Sequence, residues 1–277
     1  MIIDGKVLAK NFEEAIANQI KENHLTPKLV IISCDPDDAS KVYLRNKTRA
    51  AKRVGIICEI KIFDSNITEE QLVDEIRKLN EDKEVHGVIV QLPLPKHIDA
   101  NYIANTISYV KDVDGFGRCS VFKPCTPLGC IELVQHQGLK LEGKHCVVIG
   151  RSNIVGKPLA KLLLDENATV TVCHSRTSVE QLATLCKNAD FIFSSAGVPN
   201  LIKPEYLKEG STLIDISINR DENGKLCGDA MKGCEDVCGY ITPVPGGVGP
   251  MTVAMLMMNV LIANWLTLQE DCDIINT

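Results

Sequence analysis

A glycine-containing turn just past the middle of the chain has residue types that suit phosphate binding. Residues 146–149 form a short apolar run rich in β-branched side chains, which predicts a buried strand. Gly150 ends this run, and Gly156 stands where the next helix is expected to begin. Such a strand, turn and helix N-terminus present free backbone N–H groups to a phosphate. Because Ser152 occupies the middle glycine position of the G-x-G-x-x-G pattern, the motif alone is a weak signal.

The residues after the next predicted strand favour NADP over NAD. A dinucleotide-binding domain that uses NAD usually has an acidic residue about 20 positions after the turn, where it binds the ribose hydroxyls. This chain instead has Ser175 and Arg176, with hydroxyl groups on neighbouring residues and no carboxylate. Together with Arg151 from the turn, these groups could hydrogen-bond a 2′-phosphate. The alternative is a solvated loop with one surface arginine.

Four polar residues from separate segments form a second candidate group. Tyr43 and Lys47 lie four positions apart, so they share one face of a predicted helix. Gln91 ends a predicted buried strand, and Asp114 lies in a loop expected to return to the same edge of the sheet. Each also has an ordinary interpretation as a solvent-facing helix residue, a strand end or a turn residue. From spacing alone the chain is a two-domain nucleotide-dependent oxidoreductase.

The elements predicted around these residues alternate between helix and strand. In the first part of the chain they are a helix over 7–20, a strand over 28–33, a helix over 41–54 with Ser40 as its N-cap, a strand over 56–63, a helix opened by a capping box at 68–71 and ending near 80, and a strand over 87–92. This order predicts a parallel sheet with helices on both faces, and ligands bind beyond the carboxyl ends of such strands.

The second part of the chain repeats the alternation and predicts a Rossmann-like domain. Its predicted elements are a helix from 124 to 137, strands over 146–149, 169–173, 191–194, 212–216 and 237–241, and helices over 157–165 and 179–187. A final helix over 251–266 is expected to pack back on the first domain. The fold class is therefore α/β with two domains, the first over 1–122 and completed by 251–277, the second over 123–250.

Composition places the chain among ordinary globular proteins. Of 277 residues, 45% are hydrophobic and 24% charged, and the net charge of -6 with no basic block argues against nucleic acid or a membrane as a partner. The most apolar segment, 251–263, is predicted to be too short to span a bilayer. Twelve scattered cysteines without a signal peptide indicate reduced thiols in a cytoplasmic protein. We predict no metal, because Cys227, Cys234 and Cys238 lack a C-x-x-C pair.

Seven segments together resemble the bifunctional methylenetetrahydrofolate dehydrogenase/cyclohydrolase family. They follow the family order over nearly the whole chain and are residues 40–47, 90–95, 111–116, 124–127, 150–158, 174–177 and 243–252. The resemblance implies that methylenetetrahydrofolate gives hydride to NADP, and that water then opens the methenyl product to formyltetrahydrofolate. It also implies a homodimer formed through the nucleotide domain.

The resemblance assigns roles to individual residues. Lys47 matches the lysine of the water step, with Gln91 orienting it, Tyr43 contacting the pterin and Asp114 accepting its N–H groups. The substrate contacts implied are Tyr43, Gln91, Leu92, Asp114, Pro245 and Gly246. The cofactor contacts expected are Gly150, Arg151, Ser152, Gly156, Ser175, Arg176 and Ile216.

The chain departs from the family pattern in two segments and is slightly short for the family. Only residues 117–123 separate Phe116 from the Pro-Cys-Thr-Pro segment, where the family has a longer loop. Ser217 stands where the family usually has glycine. The alternatives are a dehydrogenase that has lost the water step, a shikimate-dehydrogenase-like oxidoreductase, and a folate- or nucleotide-binding regulator without catalysis.

Overall fold

The chain divides into two compact units around two parallel sheets. The computed structural model describes residues 1–275, with the side chains of residue 39 and residues 270–275 outside the description. The three-stranded unit contains Lys10–Cys125 and the chain from Val253 onward. The five-stranded unit contains Met1–Ala9 and Thr126–Thr252. This arrangement confirms the two-part α/β fold class.

Helices and parallel strands alternate in the three-stranded unit. Its elements in chain order are α1 (Gly5–Glu22), β1 (Lys28–Cys34), α2 (Asp38–Val54), β2 (Ile57–Phe63), α3 (Glu69–Glu81), β3 (Gly87–Val90) and α4 (Ala100–Thr106). The strands pair in the order β2-β1-β3. Six consecutive residues of the central strand, Leu29 to Cys34, are buried, which explains its continuous apolar sequence.

Two helix starts in this unit show how local polar groups set the boundaries. Helix α2 begins three residues earlier than predicted, because Asp37 is its N-cap and accepts the Ser40 backbone N–H at 2.7 Å. The prediction of Ser40 as N-cap was therefore wrong. The predicted capping box of α3 is confirmed, since Thr68 and Gln71 exchange side chain–backbone hydrogen bonds. A carboxylate that reaches the third N–H satisfies one of the free donors at a helix start.

The segment before Asp114 runs beside β3. The Val88 N–H donates to the Lys111 carbonyl at 2.8 Å, and Val88 pairs with Asp112 in a parallel bridge. Asp114 lies two residues further on, in a turn closed by the Gly115 N–H, which donates to the Asp112 carbonyl at 3.0 Å. Gln91 follows Val90 directly, so it lies at the end of the strand that Asp112 adjoins.

The five-stranded unit has the predicted Rossmann-like alternation. Its elements are α5 (Cys125–Gln135), β4 (His145–Ile149), α6 (Gly156–Asp165), β5 (Thr169–Cys173), α7 (Val179–Lys187), β6 (Phe191–Ser194), β7 (Thr212–Asp215), β8 (Asn219–Arg220), β9 (Leu226–Cys227), α8 (Cys234–Val237) and β10 (Tyr240–Ile241), with a short 3₁₀ turn at Pro204–Tyr206. The parallel sheet has the order β10-β7-β6-β4-β5. The strand predicted over 237–241 is shorter than expected, because Val237 ends a helical turn.

The first residues of the chain extend the edge of the five-stranded sheet. The Ile3 N–H donates to the Ile241 carbonyl at 2.8 Å, and the Ile241 N–H donates to the Met1 carbonyl at 2.9 Å. This pairing explains why Met1–Ala9 groups with the five-stranded unit. The domain boundaries proposed from sequence placed these residues with the other sheet.

The C-terminal helix, α9 (Val248–Ile275), is longer than predicted. Its apolar stretch, Val248–Gln269, has 22 residues and could cross a membrane by length and composition, so the prediction of a run too short to span a bilayer was wrong. However, 56% of its apolar window is buried within the structure, as in a core helix. From Val253 onward α9 belongs to the three-stranded unit, which confirms that the C-terminal helix packs back on the first domain.

Candidate active site

Lys47 and Gln91 meet directly in the three-stranded unit. Lys47 lies on α2 and is half-buried, and its Nζ donates to Oε1 of Gln91 at 3.0 Å. The Gln91 amide Nε2 in turn donates to the Leu92 carbonyl at 2.9 Å, within the loop after β3. This second bond fixes which face of the Gln91 amide is presented to the lysine. The lysine amine is thereby held in one orientation.

Cys125 lies within the electrostatic reach of both Lys47 and Asp114. Burial raises the pKa of the Cys125 thiol well above its usual range, the Asp114 carboxylate raises it further, and the Lys47 ammonium opposes this rise. The thiol is 1% exposed and donates to the Val113 carbonyl at 3.3 Å. The arrangement combines an amine, a half-buried carboxylate and a neutral thiol, and the amine can move a proton while the carboxylate accepts N–H donors.

Helix α9 anchors the segments on either side of Asp114. The buried Asn259 amide Nδ2 donates to the Val113 carbonyl at 2.9 Å and to the Lys123 carbonyl at 3.3 Å. One side chain therefore ties the Asp114 loop to the start of the Pro-Cys-Thr-Pro segment. A polar residue in an apolar helix was the sequence signal for this contact.

The loop after Phe116 is closed by hydrogen bonds to Asp112. Asp112 Oδ2 accepts the Gly117 N–H at 2.7 Å, and the Ser120 hydroxyl donates to the Asp112 carbonyl at 3.0 Å. Burial raises the pKa of the Asp112 carboxyl, and the bond from Gly117 opposes that rise. The Asp112 side chain therefore organises the loop and leaves Asp114 as the carboxylate beside Cys125.

Tyr43 lies one helical turn before Lys47 and is accessible. Its side chain is 43% exposed, and Leu92 is half-buried in the loop after β3. The Tyr43 hydroxyl has no hydrogen-bond partner in the part of the chain that the structure describes. An exposed aromatic ring beside a held amine can contact a flat heterocycle.

The glycine turn of the five-stranded unit is built for close backbone approach. Gly150 has φ +119°, and a Cβ there would lie 2.5 Å from the Ser195 Oγ. Ser152 Oγ accepts the N–H groups of Val155 at 3.1 Å and Gly156 at 3.3 Å, at the start of α6. The hydroxyl thus already caps the helix, and its O–H remains able to donate to a ligand.

Two arginine side chains near this turn are exposed to solvent. Arg151 follows Gly150, and Ser175 and Arg176 follow β5, and all three are exposed. Neither arginine side chain forms a hydrogen bond or ion pair with another described residue. The loop is ordered by its backbone, since the His174 N–H donates to Thr177 Oγ1 at 3.0 Å and the Arg176 N–H donates to His174 Nδ1 at 3.2 Å.

The buried carboxylate of Asp229 accepts hydrogen bonds from the loops after β6 and β7. Asp229 is 0% exposed and accepts five hydrogen bonds at 2.7–3.0 Å, from Ser194 Oγ, Ala196 N, Val198 N, Ser217 Oγ and Asn219 Nδ2. Ile216 begins the loop after β7, and its N–H donates to the Ser194 carbonyl at 2.8 Å. A second buried carboxylate, Asp215, accepts the Asp229 N–H at 3.0 Å and the Ala230 N–H at 2.8 Å. Burial raises the pKa of Asp215 to about 6 against these donors.

Pro245 and Gly246 lie in the loop before α9. Pro245 is exposed, and Gly246 is buried with φ +116°. Both belong to the five-stranded unit, whereas Lys47 and Asp114 belong to the three-stranded unit. The predicted site residues therefore form two groups, one in each unit. Among the described residues, no group of three or more His, Cys, Asp or Glu is arranged to hold a metal ion.

Two family models cover most of the chain. Residues 3–114 match the tetrahydrofolate dehydrogenase/cyclohydrolase catalytic domain, and residues 124–267 match the NAD(P)-binding domain of the same family. The chain belongs to the tetrahydrofolate dehydrogenase/cyclohydrolase family. It is a bifunctional enzyme of one-carbon metabolism, with methylenetetrahydrofolate dehydrogenase and methenyltetrahydrofolate cyclohydrolase activities.

Relatives extend the match over almost the full length. The bifunctional protein FolD of Acidovorax sp. (strain JS42) is 46% identical over 276 residues, covering 95% of this chain and 97% of the relative. The crystal structure of the Campylobacter jejuni bifunctional enzyme has a TM-score of 0.92 at 40% identity, covering 96% and 98% of the two chains. That of Trypanosoma brucei, complexed with NADP cofactor and inhibitor, has a TM-score of 0.89 at 35% identity, covering 97% and 98%.

Membership of this family decides between the alternatives. The shikimate-dehydrogenase-like interpretation and the non-catalytic regulator are wrong, because both halves of the chain match this family's own domains. The dehydrogenase-only alternative is also wrong, since both family domains are present and the relatives from Acidovorax and Campylobacter jejuni are bifunctional.

Three residues that contact the candidate site were not assigned roles from sequence. They are Cys125, Asn259 and Asp229. Cys125 lay inside a recognised segment, and Asn259 interrupts an apolar helix, so both left a signal in the sequence. Asp229 gave none, because its partners come from segments 10 to 35 residues away.

Proposed function

We propose that Lys47 carries the water step of the cyclohydrolase activity. In this step water adds its oxygen to the methenyl carbon, and the Lys47 Nζ takes the proton that the water loses. The same Nζ then returns a proton to the ring nitrogen whose bond to that carbon breaks, which leaves formyltetrahydrofolate and releases one proton overall. Support comes from the 3.0 Å hydrogen bond to Gln91, which holds the amine in a half-buried position.

The pterin contacts are proposed for residues around this amine. Asp114 is half-buried and can accept N–H donors from a pterin ring, and the exposed Tyr43 ring can pack on it. Leu92 would contribute apolar contact from the loop after β3. Pro245 and Gly246 are proposed as further substrate contacts because of the family resemblance. Residues 1–122 with the C-terminal helix would act as the folate-binding domain, and residues 123–250 as the nucleotide-binding domain.

The nicotinamide cofactor is proposed to be NADP. The turn between Gly150 and Gly156 would let the pyrophosphate approach the N-terminus of α6, where the backbone N–H groups of Arg151, Ser152 and Asn153 precede the helix. Arg151, Ser175 and Arg176 are exposed and would hold the 2′-phosphate, with no carboxylate after β5 to repel it. Ser152 would donate its free O–H to a phosphate, and Ile216 would contact the nicotinamide half. Hydride transfer needs no protein nucleophile, so the contribution of these residues is placement.

The observation that carries this proposal is the Lys47–Gln91 pair in a chain of this family. The experiment supplies methylenetetrahydrofolate with either NADP or NAD, and follows methenyl product and reduced cofactor separately by absorbance. A parallel reaction starts from methenyltetrahydrofolate without cofactor. The proposal expects reduction of NADP in preference to NAD and hydrolysis of the methenyl compound. Preference for NAD would contradict the cofactor assignment, and stable methenyl product would contradict the hydrolytic one.

The protein is further proposed to be a cytoplasmic homodimer. Support comes from the family resemblance and from β5, which pairs only with β4 among the described strands and leaves Val172 40% exposed. Unpaired backbone groups on such a strand are available to a second copy. Light scattering coupled to size-exclusion chromatography tests this directly. A monomer at micromolar concentration would contradict it.

A further inference from the structure

The Ser217 hydroxyl connects the two loops that follow the central strands of the five-stranded sheet. Its Oγ accepts the Gly197 N–H at 3.0 Å and donates to Asp229 Oδ2 at 2.7 Å. Gly197 lies in the loop after β6, and Ser217 lies in the loop after β7. One hydroxyl therefore uses both its donor and an acceptor site to join two loops that carry no other mutual side-chain contact of this kind among the described residues.

The Asp229 carboxylate, which accepts the Ser217 hydroxyl, is also held by several other donors. Asp229 Oδ2 also accepts from Ser194 Oγ and from the Ala196 N–H, while Oδ1 accepts from the Val198 N–H. A buried charge with this many donors has one orientation, because any rotation leaves donors and acceptors unpaired. Ser217 is therefore hydrogen-bonded to a side chain of fixed orientation. Through its bond from the Gly197 N–H it restrains the loop after β6.

The order of the strands predicts which half of a bound dinucleotide these two loops would face. The Gly150 turn follows β4, and the arginine loop follows β5 on one side of it. Strands β6 and β7 lie on the other side of β4. Ligands of parallel sheets lie beyond the carboxyl ends of the strands, so a dinucleotide with its adenosine half over β5 has its nicotinamide half over the loops after β6 and β7.

We propose that Ser217 is a positioning residue for the nicotinamide half of the cofactor, acting through the Gly197 loop and Asp229. This inference rests on the proposed use of a nicotinamide cofactor. It assigns a role to the position at which this chain departs from the glycine usual in the resembling family. The serine supplies a hydrogen bond that glycine at this position could not make.

The test compares Ser217→Ala with Ser217→Thr and with a matched control, Thr184→Ala. Thr184 is exposed in the same unit, and its hydroxyl donates to the Glu180 carbonyl within α7. Ser217→Ala is expected to raise the KM for NADP and for NAD by the same factor, about tenfold, because both cofactors share the nicotinamide half. Ser217→Thr keeps the hydroxyl and should restore the wild-type KM.

The remaining readouts separate positioning from general damage. Hydrolysis of methenyltetrahydrofolate without cofactor should be unchanged in Ser217→Ala, and so should the KM for the folate. Cofactor KM values equal to those of wild type and Thr184→Ala would overturn the inference, as would an equal loss of both activities. If the wild-type enzyme reduced neither cofactor, the proposed function itself would fail.

Discussion

The Nζ of Lys47 and the Oε1 of Gln91 are 3.0 Å apart, joining the middle of α2 to the loop after β3. The backbone brings them together because Gln91 follows a buried strand paired with β1, and its N–H donates to the Ile32 carbonyl at 2.8 Å. The sheet therefore fixes the position of the Gln91 side-chain amide. Helix α2, which follows β1, fixes the position of the Lys47 amine.

Replacement of Gln91 should impair hydrolysis more than hydride transfer. Gln91→Ala removes the acceptor that orients Lys47, and a misplaced catalytic group commonly costs about 100-fold in rate. Gln91→Glu instead offers a carboxylate, which would hold the lysine proton more tightly and also slow the water step. We expect both variants to accumulate methenyl product while reduced cofactor continues to form. An unchanged hydrolysis rate in Gln91→Ala would show that the pair has no role in orientation.

Replacement of Arg151 should change the choice between cofactors. Arg151→Ala removes a cation that would contact only the 2′-phosphate, so KM for NADP should rise about tenfold or more while KM for NAD changes little. Lys161→Ala, on the exposed face of α6, is the control for a general loss of positive charge. The measurement is the ratio of kcat/KM for the two cofactors. An equal fall in kcat/KM for NADP and for NAD would mean that Arg151 does not contact the 2′-phosphate.

Replacement of Asn259 should loosen the Asp114 loop. Asn259→Leu leaves the Val113 and Lys123 carbonyls without their donor, at a cost of about 1–3 kcal/mol in the free energy of unfolding. Because the same carbonyls flank Asp114 and Cys125, we expect hydrolysis to slow as well.

The same helix offers a matched control for that variant. Asn264 is buried, and its Oδ1 has no hydrogen-bond partner among the described residues. Asn264→Leu should therefore leave stability unchanged or raise it, since it removes an unsatisfied polar group. Thermal denaturation of both variants provides the comparison. A larger loss of stability in Asn264→Leu than in Asn259→Leu would contradict the assignment.

The Asp215 carboxyl should make the five-stranded unit less stable as pH rises. Burial raises its folded pKa from 3.8 to about 6, so the folded state binds the proton more tightly than the unfolded state. The stabilisation is fully present below the unfolded pKa and is lost as pH rises through the folded pKa. The loss amounts to roughly 3 kcal/mol between about pH 4 and pH 7. Denaturant unfolding across this range should show a smaller decline in Asp215→Asn, and an equal decline would exclude Asp215 as its source.

The sequence predicted elements whose signals are local. The bounds of α7 agree with the prediction residue for residue, because an apolar pattern follows the N-cap Ser178, whose side chain accepts the Gln181 N–H. The Lys47–Gln91 contact was also predictable, since helix spacing and strand order brought both residues to one edge of the sheet.

The rest of the site depends on contacts between segments distant in sequence. Asp229 receives donors from Ser194 and Asn219, which lie 35 and 10 residues away, and no periodicity marks such a partner. The β8–β9 hairpin was missed because strands of two residues are too short to show alternation. The start of α2 was misplaced because Asp37 and Ser40 are both acceptable N-caps, and only the backbone geometry selects between them.

The central claim is that the Lys47 amine performs the water step and takes no part in hydride transfer. The most direct measurement is a reaction of Lys47→Met with methylenetetrahydrofolate and NADP, following reduced cofactor and methenyl product separately against the wild-type enzyme. We predict that reduced cofactor forms at close to the wild-type rate while methenyl product accumulates without conversion to formyltetrahydrofolate. If both rates fall together, or if methenyl product is still hydrolysed at the wild-type rate, the role assigned to Lys47 is wrong.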